Sequence, residues 1–272
     1  MAEVRYPDVT LVLQGPVNFN GLLSAYGNQI MQSGEDRLDF MPAIEYYKTL
    51  FAKIILSTYT EQVDEEIRSF CESHNIMLVH QTQDIGDLEK KYNITYQAMS
   101  TLLGLQNVST KYTLKHRTDE RYSNLDKLVD LFLEDDEKWV SGSTIFSAKS
   151  RQLFHAADHL YIAKTDKLIK VMELTLKNVR LNEFDRNAEK EPAPEVTFTR
   201  NFIAISGDNP CHSVHDEMML KYFNFVNDRE LFPYVVKFNT IDKIYTRLED
   251  REGFWGEFNT MEDILNKNGM HI

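Results

Sequence analysis

Residues 8–16 read DVTLVLQGP. Val9, Thr10, Leu11, Val12 and Leu13 are β-branched or apolar in succession, and Gly15-Pro16 then breaks the run. The pattern is a strand stopped by a turn. Working outward, AKIILST at 52–58 predicts a second strand. The segment 61–74 spaces Val63, Ile67 and Phe70 as a helix does. IMLVH at 76–80 predicts a third strand, 91–106 a helix and KYTLKH at 111–116 a fourth strand. Strands alternating with helices argue for an open α/β sheet. Such sheets take ligands at the carboxyl ends of their strands. Those ends carry Gln14-Gly15-Pro16, Ser57-Thr58 and Arg117-Thr118-Asp119.

The second half is less regular. Leu125–Leu133 reads as a helix, while 138–141 and 159–163 read as strands. Residues 165–178 read as a helix with Thr165 as N-cap. The charged, proline-bearing stretch 181–195 reads as a surface loop. Residues 212–226 read as one helix and 234–238 as a late strand. The expectation is a single domain over 1–272, with a nucleotide-binding half to about residue 122 and an acceptor half beyond it.

Composition narrows the function. The 272 residues (31.8 kDa) are 42% hydrophobic and 26% charged, near the globular norm, which excludes a disordered chain. Thirty basic against 42 acidic residues give −12 and a pI near 5.2, a poor basis for gripping nucleic-acid backbone. Cys71 and Cys211 cannot make a disulfide framework and suit reduced thiols. The start, MAEVRYPDVTLVLQGPV, lacks the pattern of a signal peptide, and no apolar run is long enough to span a membrane, so a cytoplasmic setting is expected.

Several clusters could carry chemistry. In LKHRTDER, Leu114 to Arg121, strand alternation puts Lys115 and Arg117 on one face. Asp119 then falls where the chain leaves the sheet, placed to hold a divalent cation (Mn²⁺ or Mg²⁺) on a diphosphate that Arg117 and Arg121 would also neutralise. The bland alternative is a solvated strand end. Gln14 could reach a base or ribose. No GxGxxG or GxxxxGK[ST] motif is present. In FHAADHLYIA, a helix would align His155 and His159 as a zinc face beside Asp158, but LYIA argues for a strand. Asp158 is the more attractive as a lone general base, against the alternative of a surface turn. Pro194 suits the first turn of a helix and Glu195 its positive end. Glu195 is a second candidate base, and Asp216 in CHSVHDEM a third, the latter more simply a solvated helix start.

Taken in order, LVLQGPV, KIILSTYT, YQAMSTLLGL, KYTLKHRTDERY, LFHAADHLYIA and APEVTF resemble the WavE family of lipopolysaccharide-synthesis glycosyltransferases. The resemblance covers about residues 8–200. The chain is also similar to glycosyltransferases of large DNA viruses, a chlorovirus xylosyltransferase among them. The resemblance implies a GT-A-like domain with a mostly parallel open sheet flanked by helices, and transfer from a nucleotide-sugar donor (UDP-xylose among the candidates) to a glycan hydroxyl with inversion. It puts Gln14, Gly15, Pro16, Ser57 and Thr58 near the nucleotide, and Arg117 and Asp119 where GT-A enzymes place a metal-binding DxD. Here the chain reads Thr118-Asp119-Glu120-Arg121 instead. It also departs at Tyr59 and Ala157, where tryptophan and serine are usual. A viral member would work in the host cytoplasm.

Two other classes follow from the same residues. A nucleotidyltransferase or sugar-nucleotide synthase uses a similar sheet, but would want a glycine- and lysine-rich phosphate loop near the first strand, and the sequence shows none. A carbohydrate-binding module would use exposed aromatics such as Phe254, Trp255 and Phe258, which suit core packing equally well.

Overall fold

The run at 8–14 becomes an interior strand, which explains why it is apolar on successive residues: both of its faces are covered. The computed structural model describes residues 4–17, 43–82, 94–118, 120–142, 153–181, 194–226, 231 and 234–235. In chain order these give β1 (Tyr6–Gln14), α1 (Ile44–Leu50), β2 (Phe51–Tyr59), α2 (Glu65–Ser73), β3 (Met77–Gln81), α3 (Ile94–Gln106), β4 (Tyr112–Arg117), β5 (Glu120–Arg121) and α4 (Leu125–Glu134). They continue with β6 (Trp139–Gly142), β7 (Leu160–Lys164), α5 (Thr165–Leu181), α6 (Pro194–Ile205), α7 (His215–Tyr222), β8 (Phe223–Val226) and β9 (Tyr234–Val235).

Seven strands form one sheet in the order β3-β2-β1-β4-β7-β6-β8. β7 runs antiparallel to both neighbours; the other pairings are parallel. This is the mixed α/β architecture with a mostly parallel central sheet that the sequence predicts. β5 and β9 make a separate antiparallel pair.

Pleating sends alternate residues of each strand to opposite faces. Leu11 and Leu13, Ile54 and Leu56, Leu114, and Leu160 and Ile162 pack with α1, α2 and α4. Tyr161, Ala163, Trp139, Phe223 and Phe225 pack with α3, α5, α6 and α7. α3 crosses the sheet at very close range. A Cβ on Gly104 would lie 2.7 Å from Val12 Cγ1 and 3.1 Å from Ser57 Cβ, so only glycine fits there.

The structure corrects the second half in two places. The predicted helix over 212–226 ends at Tyr222, and Phe223–Val226 is a strand paired with β6. Thr165 opens α5 but does not cap it; its hydroxyl donates to the Thr110 carbonyl and meets Thr113 Oγ1. α1, a short helix without a side-chain N-cap bond, carries too little local pattern to be anticipated. The stretch 182–193 and the aromatics at 254–258 lie outside the described residues. No helix among the described residues is long and apolar enough to cross a membrane.

Candidate functional site

Register sets the site. Gln14 is level with Ser57 on one side and Arg117 on the other. Because β7 is antiparallel, with His116 opposite Leu160, the residues just before β7 arrive at the carboxyl ends of β1 and β4. Asp158 and His159 therefore sit beside Arg117 and Thr118.

Two devices hold that approach in place. Phe154 takes φ +63°, which is costly for a bulky side chain, and is held by burial with its ring against His215 at 4.9 Å. Ala156 N donates to Thr199 Oγ1 at 3.0 Å, and that hydroxyl donates to the Glu195 carbonyl at 2.7 Å. The loop is thus pegged to the first turn of α6, which begins at Pro194 as the sequence predicts.

The peg brings Asp158 and Glu195 together. Asp158 is 2% exposed. Its Oδ2 accepts a short hydrogen bond from Gln97 Nε2 on α3, and its carbonyl accepts from the buried Lys115 ammonium at 2.6 Å. Its Oδ1 has no hydrogen-bond partner, and neither does the buried Oε2 of Glu195. Burial alone would raise Asp158, but His159, Lys115 and Arg117 outweigh it and hold the carboxylate below its ordinary range. Burial, and then the Asp158 charge, push Glu195 well above the usual carboxylate range. The two carboxyls are thus pushed apart, Asp158 toward its charged form and Glu195 toward its neutral one.

Glu120 completes the cluster. It is fully buried, accepts from His159 Nδ1 and from Tyr122 Oη at 2.7 Å, and faces Arg117 Nε at 3.7 Å. One donor atom from each of Asp158, His159 and Glu195 lies within 4.8 Å of the other two. Two carboxylates with unpartnered buried oxygens and an imidazole fit a divalent cation. Lys115 and Arg117 do not by themselves offset Glu120, Asp158 and Glu195 in full ionisation. A divalent cation would turn that deficit into an excess and make the pocket attractive to phosphate.

The sequence-predicted residues fall as follows. Gln14 Nε2 donates to Ser100 Oγ at 2.7 Å, and Ser57 Oγ donates to the Ser100 carbonyl at 2.6 Å, so both side chains hold α3 against the sheet. The Thr58 hydroxyl is buried without a hydrogen-bond partner. Gly15 takes φ +134°, and a Cβ there would lie 2.8 Å from Thr118 Oγ1, which donates to the Pro16 carbonyl at 2.7 Å. Arg121 lies in β5, its backbone paired with Tyr234. Asp119, the expected metal ligand, lies outside the described residues. Asp158 is buried, so the surface-turn alternative is set aside. Residues 155–157 are irregular, so His155 and His159 form no helical face. Asp216 pairs with His215 Nδ1 at 2.8 Å.

Sequence reasoning missed Glu120 and Gln97. Glu120 was overshadowed by its neighbour Asp119. The available signal was its proximity to Arg117 and Arg121, where a carboxylate among cations earns a partner.

No family model matches the chain, and no curated protein does. Solved structures do resemble it. A Bacillus anthracis protein assigned as a glucose-1-phosphate thymidylyltransferase is 11% identical with a TM-score of 0.48, the match covering 87% of this chain and 92% of that one. A nucleoside-diphosphate-sugar pyrophosphorylase from Vibrio cholerae is 12% identical with a TM-score of 0.48, covering 89% and 100%. A cytidylyltransferase from Leptospira borgpetersenii is 15% identical with a TM-score of 0.40, covering 96% and 93%. These are likenesses of fold. They run against the expectation of glycosyl transfer to a glycan hydroxyl: the three proteins are named for nucleotidyl or pyrophosphoryl chemistry, and none for transfer to a glycan.

Proposed function

We propose that the chain is a nucleotidyltransferase that joins a nucleoside triphosphate to a phosphorylated sugar, or runs the reverse reaction, with a divalent cation. The observation that carries this reading is the pair of buried Asp158 and partly buried Glu195, with their unpartnered oxygens, beside Arg117 at the carboxyl edge of the sheet. Transfer to a sugar hydroxyl needs an ionised base open to that hydroxyl. Asp158 is buried and engaged by Gln97, while burial pushes Glu195 toward its neutral form. A sugar phosphate needs no such base, because its oxygen is already an anion at neutral pH.

In the forward reaction a phosphate oxygen of the sugar phosphate attacks the α-phosphorus. The bond to the bridging oxygen breaks, and its electron pair leaves with pyrophosphate. Arg117, partly exposed, offers a guanidinium to the phosphates. Lys115 fixes the Asp158 carbonyl and adds buried positive charge beneath it. Gln97 sets the rotation of the Asp158 carboxylate. Asp158, His159 and Glu195 would hold the cation, which when bound supplies neutralising charge for phosphate oxygens.

A matrix of nucleoside triphosphates against sugar 1-phosphates, with Mn²⁺ or Mg²⁺, tests the reading by pyrophosphate release. Release that requires both substrates is expected. The reading is lost if no pairing releases pyrophosphate and pyrophosphate converts no nucleotide sugar to a triphosphate.

A further inference from the structure

We propose that the Asp158–His159–Glu195 cluster selects a first-row transition divalent ion, with Mn²⁺ as the probe, over Mg²⁺, and that Glu120 is the positioning residue that makes it do so. The inference rests on the cation of the proposed function and adds which ion and why.

The argument starts from Glu120. It is sealed from solvent, and both of its oxygens are engaged, one by His159 Nδ1 and the other by Tyr122 Oη. A carboxylate only accepts, so the proton of that bond belongs to Nδ1. The charged ring pairs with Asp158 Oδ1 at 3.6 Å through Nε2; in the neutral form that a cation would require, the lone pair lies on that same nitrogen. Ligating histidines are held in this way: the remote nitrogen donates to a carboxylate, which fixes the tautomer and raises the basicity of the ligating nitrogen. Glu120 thus acts on the site through His159. Asp158 Oδ1, almost wholly buried and without a hydrogen-bond partner, points to a ligand.

The donor set decides the ion. Mg²⁺ demands oxygen ligands in near-ideal octahedral geometry and gives up its water reluctantly, which suits an open site with one or two carboxylates. An oriented imidazole favours transition ions, while carboxylates still suit Mn²⁺. A largely buried site of two carboxylates and one imidazole therefore favours a first-row transition ion over Mg²⁺, and Mn²⁺ probes that choice.

The test uses the full chain with MnCl₂ or MgCl₂ alone, without nucleotide or sugar. Calorimetric titration of the wild type is expected to show Mn²⁺ binding at least about tenfold tighter than Mg²⁺. Electron spin-echo spectroscopy of the Mn²⁺-loaded protein is expected to show coupling to a ring nitrogen, lost in His159→Gln. Glu120→Gln is expected to weaken Mn²⁺ about 10–100-fold, the range for such outer partners, and Mg²⁺ far less. Tyr122→Phe removes one bond from Glu120 while leaving its charge, and should weaken Mn²⁺ less than Glu120→Gln does. Equal affinity for the two ions, or no nitrogen coupling in the loaded wild type, overturns the proposal, and neither measurement needs a variant to fold. Selective binding without pyrophosphate release would sink the proposed function and leave this inference standing. Pyrophosphate release with no ion preference would do the reverse.

Discussion

Glu195→Gln separates stability from function at one atom. In the wild type Glu195 Oε2 is buried without a hydrogen-bond partner, close to Asp158 Oδ1, which also lacks one. A buried polar atom left unsatisfied costs about 1–3 kcal/mol. Glutamine keeps the shape, offers an N–H to Asp158 as a protonated carboxyl would, and removes the cost of keeping a buried carboxyl uncharged at neutral pH. Without cation the variant should be about 1–2 kcal/mol more stable than wild type. At about 2–4 °C per kcal/mol for a chain of this size, the Tm rises by about 2–8 °C. Cation reverses the order. At a hundredfold excess over Kd a bound ion stabilises the folded state by about 2.7 kcal/mol. The variant has lost a ligating charge and should gain little. Differential scanning calorimetry of both proteins in EDTA and in MnCl₂ reads all four values. A variant less stable than wild type in EDTA, with an unchanged shift in Mn²⁺, would refute the reasoning.

Gly104→Ala forces a methyl to within 2.7 Å of Val12 Cγ1. The overpacking cost of about 1–3 kcal/mol exceeds the helix-propensity gain of at most about 1 kcal/mol, so the urea midpoint should fall. Thr199→Val removes the acceptor of the Ala156 N–H and should cost about 1–3 kcal/mol in chemical denaturation, with kcat for pyrophosphate release falling as Asp158 loosens. Lys111, then Tyr112, hold Asp136 well below the usual carboxylate range. That contribution is present above the unfolded value of about 4 and is lost as pH falls through the depressed folded one. Urea midpoints of wild type and Asp136→Asn should therefore differ at neutral pH, by about 1 kcal/mol or less because Lys111 is exposed, and converge in strong acid.

The sheet was legible where a strand carried its own evidence. β1 and β2 are apolar on successive residues and end at turn chemistry, so neighbours were not needed to read them. β8 was not legible. Its FNFV follows His215, Met218, Met219 and Tyr222, which are spaced as a helix, and only the distant partner Trp139–Gly142 makes it a strand. At the site, Asp158 and Glu195 were readable as single carboxylates with chemistry to offer. Their meeting was not, because one precedes a strand and the other opens a helix, and what joins them is the hydroxyl of Thr199. Gln14 and Ser57 mark the limit of motif reasoning. Each stands at a strand end, yet each spends its side chain on Ser100.

The reversed strand β7 has a consequence for synthesis. It occupies the slot between β4 and β6, both of which leave the ribosome before it. Until it arrives, the nascent chain presents two open strand edges and an incomplete core, the kind of intermediate that chaperones guard. The same chain carries Glu120 but neither Asp158 nor Glu195. An unfinished copy is therefore a folding hazard but holds no assembled ion pocket, because the pocket also waits for α6, made after β7, to bring Glu195.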